Sequence, residues 1–165
     1  VWAALQEMKR RVAPGVSTEE LDSVCARTFD AHGARAAPAL LYGFPGTACI
    51  SVNNEAVHGI PGPRRLEPGD LVKLDVTAEL DGYFADAAIT VPVRPVSPDR
   101  LRLARCAHEA LRKAAAVATA GRPMNVIGRS VQSEVERRGF SVIPGVGGHG
   151  SADPFTKTRS CTITT

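Results

Sequence analysis

Aromatic residues make up only 5% of the 165-residue chain, which leaves no platform on which successive nucleic-acid bases could stack. An excess of charge of one sign is missing too. Twenty Lys and Arg oppose 17 Asp and Glu, for a net charge of +3, and the cations are dispersed apart from pairs such as Arg10-Arg11, Arg64-Arg65 and Arg137-Arg138. That is too little to argue for a groove that tracks phosphates, so no nucleic-acid specificity is expected. No stretch approaches the roughly 20 apolar residues of a membrane span, and the first residues lack the apolar run and cleavage site of a secretory signal. The four cysteines (Cys25, Cys49, Cys106 and Cys161) show neither C-x-x-C spacing nor a zinc-ribbon pattern. They read as reduced thiols of a cytoplasmic protein, two of them small core residues on helices. No G-x-S-x-G elbow is present, and no G-K-[ST] follows the glycines between 121 and 128. Serine-nucleophile and nucleotide-dependent chemistry are therefore disfavoured.

What is present is an ordinary globular balance, 44% hydrophobic and 22% charged, on a chain long enough for one domain spanning 1–165. Trp2, Leu5, Met8 and Val12 recur at helical spacing. Ser17-Thr18-Glu19-Glu20 forms a capping box for a second helix that reaches about His32, with Gly33 behind it. Because the chain opens inside a helical pattern, Val1 is not expected to be the native start. Residues 34–46, punctuated by Pro38, Gly43, Pro45 and Gly46, read as an extended loop, and 47–52 as a strand. Helices are expected over about 97–120 and 124–138, a strand over 140–143, and a glycine-rich loop at 145–150. Helices flanking antiparallel strands make the class α+β.

The centre of the pattern is residues 71–91, a hairpin turning at Asp81-Gly82. On its first arm Val72, Leu74, Val76 and Ala78 share one face, while Lys73, Asp75, Thr77 and Glu79 share the other. Asp75 and Asp86 are separated by an odd number of positions. With an even-numbered loop, that places both on the same face, directly opposite or one diagonal step apart according to register. Carboxylates that close need a proton or a cation between them, and hard oxygen donors suit Mg, Mn, Fe, Co or Zn. Against this stands the plain alternative of two solvated carboxylates on a wet sheet face. His149, set among Gly147, Gly148 and Gly150, would add a nitrogen ligand and shift the preference from Mg toward Mn, Fe, Co or Zn. His58, fixed in a loop by Gly59, Pro61 and Pro63, suits a hydrogen-bond donor or proton carrier at the mouth of a site. His32 and His108 fall on helices and read as structural or surface residues.

Asn53-Asn54-Glu55-Ala56-Val57-His58-Gly59-Ile60-Pro61, Gly69-Asp70-Leu71-Val72-Lys73-Leu74-Asp75-Val76, Asp81-Gly82-Tyr83-Phe84-Ala85-Asp86-Ala87-Ala88 and Gly148-His149-Gly150 together resemble the type I methionine aminopeptidases. The resemblance runs from about Trp2 to Gly150, and its most discriminating part is the His58-Gly59-Ile60-Pro61 element. It implies a pita-bread fold, two pseudo-symmetric α+β halves around a site for two divalent ions (Co, Mn, Fe or Zn). It implies that Asp75, Asp86 and His149 are metal ligands and that His58 contacts the substrate beside the scissile bond in a catalytic role. Phe44 and Cys49 would line the methionine pocket. The implied reaction is metal-dependent removal of the N-terminal methionine from nascent proteins by a monomeric cytoplasmic enzyme, with ribosome association at most transient. Two alternatives share the fold: a non-catalytic binding protein, and a proline-specific aminopeptidase, against which the His58 element argues.

The resemblance stops at Gly150. Where the family continues with a histidine-glutamate element and, further on, two metal-binding glutamates, residues 151–165 contain no glutamate and only Asp153. The expectation is a C-terminally truncated or frame-disrupted member with an incomplete second half. It would hold three of five metal ligands, and full turnover by the chain itself is not expected.

Overall fold

The computed structural model describes residues 1–149 together with Ser160–Cys161, and the side chains of 1–147. The chain divides into two compact units, Val1–Ser97 and a second beginning at Pro98.

The first unit lays two helices on one face of an antiparallel sheet. Helix α1 (Trp2–Arg11) buries Ala4, Leu5 and Met8. Helix α2 (Thr18–His32) buries Leu21, Cys25 and Phe29. Both partners of the expected capping box are made. The Ser17 side chain accepts from the Glu20 amide, and the Glu20 carboxylate accepts from the Ser17 amide. Gly33, at φ 67°, closes the helix in the left-handed conformation that a residue without Cβ adopts cheaply.

Strand β3 (Leu71–Leu80) is the spine of the sheet. Along one edge it pairs throughout with β4 (Tyr83–Pro92), and along the other with β2 (Cys49–Val52) and the short β1 (Arg35–Ala36), all antiparallel. Period-2 alternation sends Val72, Leu74, Val76 and Ala78, with Ile50 and Val52 of β2, into the core against the two helices. The opposite face is left for polar residues.

Two local expectations fail here for visible reasons. Residues 34–46 are not an extended loop, because β1 is followed by helix α3 (Ala37–Tyr42). Pro38 stands in the first turn, where no backbone N–H is needed, and Gly43 (φ 65°) terminates the helix. The two residues taken as loop punctuation mark the ends of a helix. Strand β2 starts at Cys49 rather than at Thr47, because the amides of Thr47 and Ala48 both donate to Asp22 Oδ1, each at 2.8 Å, instead of to a strand. Burial raises the Asp22 carboxyl above its ordinary range, against the lowering effect of these two donors.

The second unit packs α4 (Pro98–Val117) on α5 (Asn125–Arg137). Cys106, Ala110 and Ala114, one helical turn apart, bury a stripe of small side chains, and Gly128 of α5 is buried as well. Residues 140–143 are irregular rather than a strand. A strand exists only with a ladder partner, and no described strand pairs with them.

Glu134 is fully buried on α5, and its carboxylate takes hydrogen bonds from Lys113, Arg137 (2.7 Å) and Arg138. The Arg137 bond, reinforced by Lys113 and Arg138, holds its carboxyl well below the usual carboxylate range. A depressed acid stabilises the fold above its unfolded pKa, and that contribution is lost as pH falls. The expected result for Glu134→Gln is lower stability at pH 7, where three cations lose their counter-charge, with the deficit shrinking below about pH 4. Urea denaturation followed by circular dichroism at pH 7 and pH 3 checks it.

Candidate metal and substrate site

The outward face of the β2–β3–β4 sheet is built by register. Cys49 stands directly opposite Asp75 across β2–β3, and Asp75 stands opposite Ala88 across β3–β4. Asp86 stands opposite Thr77, two residues along from Asp75. Asp75 and Asp86 therefore share a face one diagonal step apart, a spacing of about 7–8 Å in an antiparallel pair. The two-residue turn at Asp81-Gly82, with φ of 52° and 86°, sets that register by pairing Leu80 with Tyr83. Asp75 is half-buried and Asp86 exposed.

Thr77, half-buried between them in register, donates from Oγ1 to Asp86 Oδ1 at 3.0 Å. That bond uses one lone pair of Oδ1 and orients the carboxylate, as outer-shell donors orient metal ligands. Thr77 was visible on the Asp75 face in the alternation, but its partner was not, because register was open. Thr77→Val, which keeps shape and removes the donor, is expected to weaken Mn2+ binding about 10- to 100-fold, measured by calorimetric titration. Val and wild type binding equally would sink that role.

Cys49 is buried. Its thiol is pushed up to about 11, chiefly by burial and further by the carboxylates of Asp75, Asp86 and Asp22. It is thus a neutral, apolar wall beside the aspartates at physiological pH, and both aspartates act on it electrostatically.

His58 is exposed on the loop that follows β2, in the left-handed region at φ 56°. The loop is stitched to the strand at the next residue. The Gly59 amide donates to Ser51 Oγ (3.0 Å), and the Gly59 carbonyl accepts from the Ile50 amide (2.9 Å). A Cβ at Gly59 would lie 2.3 Å from the Ile50 carbonyl oxygen, so only glycine permits this approach. Farther on, Gly62 exchanges hydrogen bonds with Thr18 Oγ1 and accepts from the Glu19 amide at the start of α2. Phe44, half-buried, meets this loop at Gly46, whose Cβ position lies 2.9 Å from Pro61 and 3.2 Å from the Phe44 ring.

The first unit thus gathers five of the six residues singled out from the sequence along β2, β3, β4 and their loops. The sixth, His149, lies in the two-residue strand β5 (Gly148–His149), paired with β6 (Ser160–Cys161) rather than in a free loop. It belongs to the second unit, and its side chain falls outside the described residues. Among the described residues no three or more His, Cys, Asp or Glu converge as a metal site. Asp75 and Asp86 are two hard oxygen donors side by side, which fits part of a divalent-cation shell.

Residues 1–153 match the metallopeptidase family M24. The chain belongs to this family. It is 43% identical over 151 residues to methionine aminopeptidase 2 of Bacillus subtilis, covering 91% of the chain and 61% of the relative. The structure of a methionine aminopeptidase from Thermotoga maritima superposes with a TM-score of 0.93 at 28% identity, over 98% of this chain and 65% of that one. The prolidase of Pyrococcus furiosus shares the fold alone, with a TM-score of 0.71 at 18% identity over 83% of this chain and 39% of that one. The architecture is thus the α+β pita-bread fold of the M24 metallopeptidases, and the chain spans about three fifths of the length of the curated relative. Among the described residues, no helix of this M24 chain is long and apolar enough to cross a membrane.

Proposed function

We propose that this chain is a metal-dependent methionyl aminopeptidase that removes the initiator methionine from nascent proteins. One observation carries the reading. The strand that presents Cys49 toward Asp75 also holds, through Ser51 and Ile50, the loop bearing His58. A peptide N-terminus seated along β2 would therefore meet an apolar wall, a carboxylate pair and an imidazole at once.

In this reading Asp75 and Asp86 would hold two divalent ions drawn from Co, Mn, Fe or Zn, with His149 as the further ligand that the family resemblance implies. When bound, such ions supply Lewis-acid polarisation of the peptide carbonyl and activate water. The chain's own residues do the rest of what can be assigned. Phe44 and Cys49 take the methionine side chain, a task for which a neutral buried thiol is suited. His58 donates a hydrogen bond to the peptide next to the scissile bond, and Thr77 fixes the orientation of Asp86. A nascent-chain substrate places the protein in the cytoplasm, as a monomer whose contact with the ribosome is transient.

The test is titration of the Mn2+-loaded chain with Met-Ala and Ala-Pro peptides, with release of free amino acid followed in parallel. Metal-dependent preference for Met-Ala is expected in affinity, with turnover short of a full rate. Preference for Ala-Pro, or indifference to metal, overturns the reading. A second reading, a peptide-binding protein without turnover, would use the same Cys49 wall and the same His58 loop held on β2. Selective binding of Met-Ala with no methionine released, at saturating metal, would support that second reading over the first.

A further inference from the structure

We propose that Lys73 is a positioning residue for the His58 loop, a tie between the strand that carries Asp75 and the turn that presents the imidazole. The inference rests on the reading of His58 as a substrate contact.

Lys73 lies on the outward face of β3, opposite Ser51 of β2 and Thr90 of β4, two residues before Asp75. Its Nζ donates to the backbone carbonyl of the exposed residue Glu55. Glu55 stands in the middle of the turn that leaves β2 at Val52 and arrives at His58. Within the turn Glu55 bonds back to Val52, its amide donating to the carbonyl at 3.3 Å and its carboxylate accepting from the amide at 2.6 Å, and neither bond reaches β3. Residues 54–58 are all exposed, and both flanks adopt the left-handed conformation without being glycine, Asn53 at φ 57° and His58 at φ 56°. Such residues persist only where their surroundings over-determine them.

The other anchors sit at the ends of the turn, stay within it, or are exposed. Asn53 is fastened to Asp70 (2.7 Å) and to the Leu71 amide (3.0 Å), and Gly59 to Ser51. The Glu55 carboxylate caps the Val52 amide at 2.6 Å and meets Arg64 only at 3.4 Å between exposed side chains. The charge-assisted bond from Lys73 to a main-chain acceptor is therefore the tie from β3 to the middle of the turn, and bonds of that class are about twice as strong as neutral ones. A lysine suits the task, because its long flexible stem spans from sheet to loop and carries a positively charged donor to the main-chain acceptor. Because the acceptor is a main-chain oxygen, the tie fixes backbone position whatever side chain stands at 55. The carboxylate face and the His58 loop are then held in one frame by a single strand.

The experiment compares wild type, Lys73→Met, Lys73→Arg and His58→Ala as full chains with Mn2+. It reads amide exchange at Gly59, Met-Ala affinity and Mn2+ affinity. In Lys73→Met the Gly59 amide is expected to exchange about tenfold faster and Met-Ala to bind about tenfold more weakly, the scale of one charged hydrogen bond. Mn2+ affinity should not weaken, and Lys73→Arg should restore both other readouts. Unchanged Gly59 exchange in Lys73→Met overturns the tie. So does unchanged Met-Ala affinity in Lys73→Met when His58→Ala loses it, since the loop would then not need the tie. If His58→Ala itself binds Met-Ala normally, the assignment of His58 fails instead, and Gly59 exchange alone decides whether Lys73 holds the turn.

Discussion

Asp86→Asn, and equally Asp75→Asn, is expected to lower Mn2+ affinity by more than about 100-fold, beyond the loss assigned to outer-shell partners. The substitution keeps the size of the side chain and its place in the hairpin, so the fold should survive. What disappears is the charge that makes a carboxylate a ligand for a hard divalent ion. The two residues stand one diagonal step apart on the same sheet face, so each variant leaves a single carboxylate there. Thr77→Val should have a smaller effect, because it disturbs only the orientation of Asp86. That ranking, with either aspartate far above Thr77, separates a metal site from a solvated sheet face. Calorimetric titration with Mn2+ gives the affinities, and circular dichroism verifies folding. Wild-type affinity in either aspartate variant would falsify the assignment.

Gly59→Ala is the second large effect, and it acts on the fold before it acts on the site. The added Cβ would meet the Ile50 carbonyl oxygen at 2.3 Å, its carbon at 2.7 Å and the Ser51 Cα at 2.8 Å. All three are backbone atoms of a strand paired to β3, so no flexible side chain can give way. The loop must lift, and in lifting it gives up the bonds from Ile50 N and to Ser51 Oγ. Two lost hydrogen bonds with partially buried partners, plus the displacement, amount to on the order of 3 kcal/mol. That is a large share of the 5–15 kcal/mol of a typical domain. Gly62→Ala serves as the control, because nothing lies within 4 Å of its Cβ position. Urea denaturation should show a much lower midpoint for Gly59→Ala and a nearly unchanged one for Gly62→Ala. Equal midpoints would mean that the loop does not sit on β2 as described.

These outcomes bear on how far the residues alone could be read. The discriminating element His58-Gly59-Ile60-Pro61 was recognisable as a string, but the need for glycine at 59 was not. That need comes from the passage of Ile50, nine positions earlier, across the same space. Phe44 and Cys49 entered by family resemblance. Their place beside Asp75 and the His58 loop depends on β2 pairing with β3 and on Gly46 letting Phe44 and Pro61 close together. Lys73 read as a polar residue on the outward face, and its partner, the main-chain oxygen of Glu55, carries no mark in the sequence.

What the sequence determined by itself was whatever is encoded within a few neighbours. The capping box at Ser17, the alternation along 71–80, the Asp81-Gly82 turn and the shared face of Asp75 and Asp86 all follow from interactions spanning at most a turn or a hairpin. The tertiary structure decided what depends on distant partners. It settled the diagonal register that sets Asp86 against Thr77, and the start of β2 at Cys49, where Asp22 intercepts two amides. It left 140–143 irregular and tied the His58 loop to two strands. The division has one physical cause. Backbone dihedral preferences and turn chemistry act locally, whereas every buried or bridging hydrogen bond must find its acceptor in space, and the chain's order does not say where that acceptor will be.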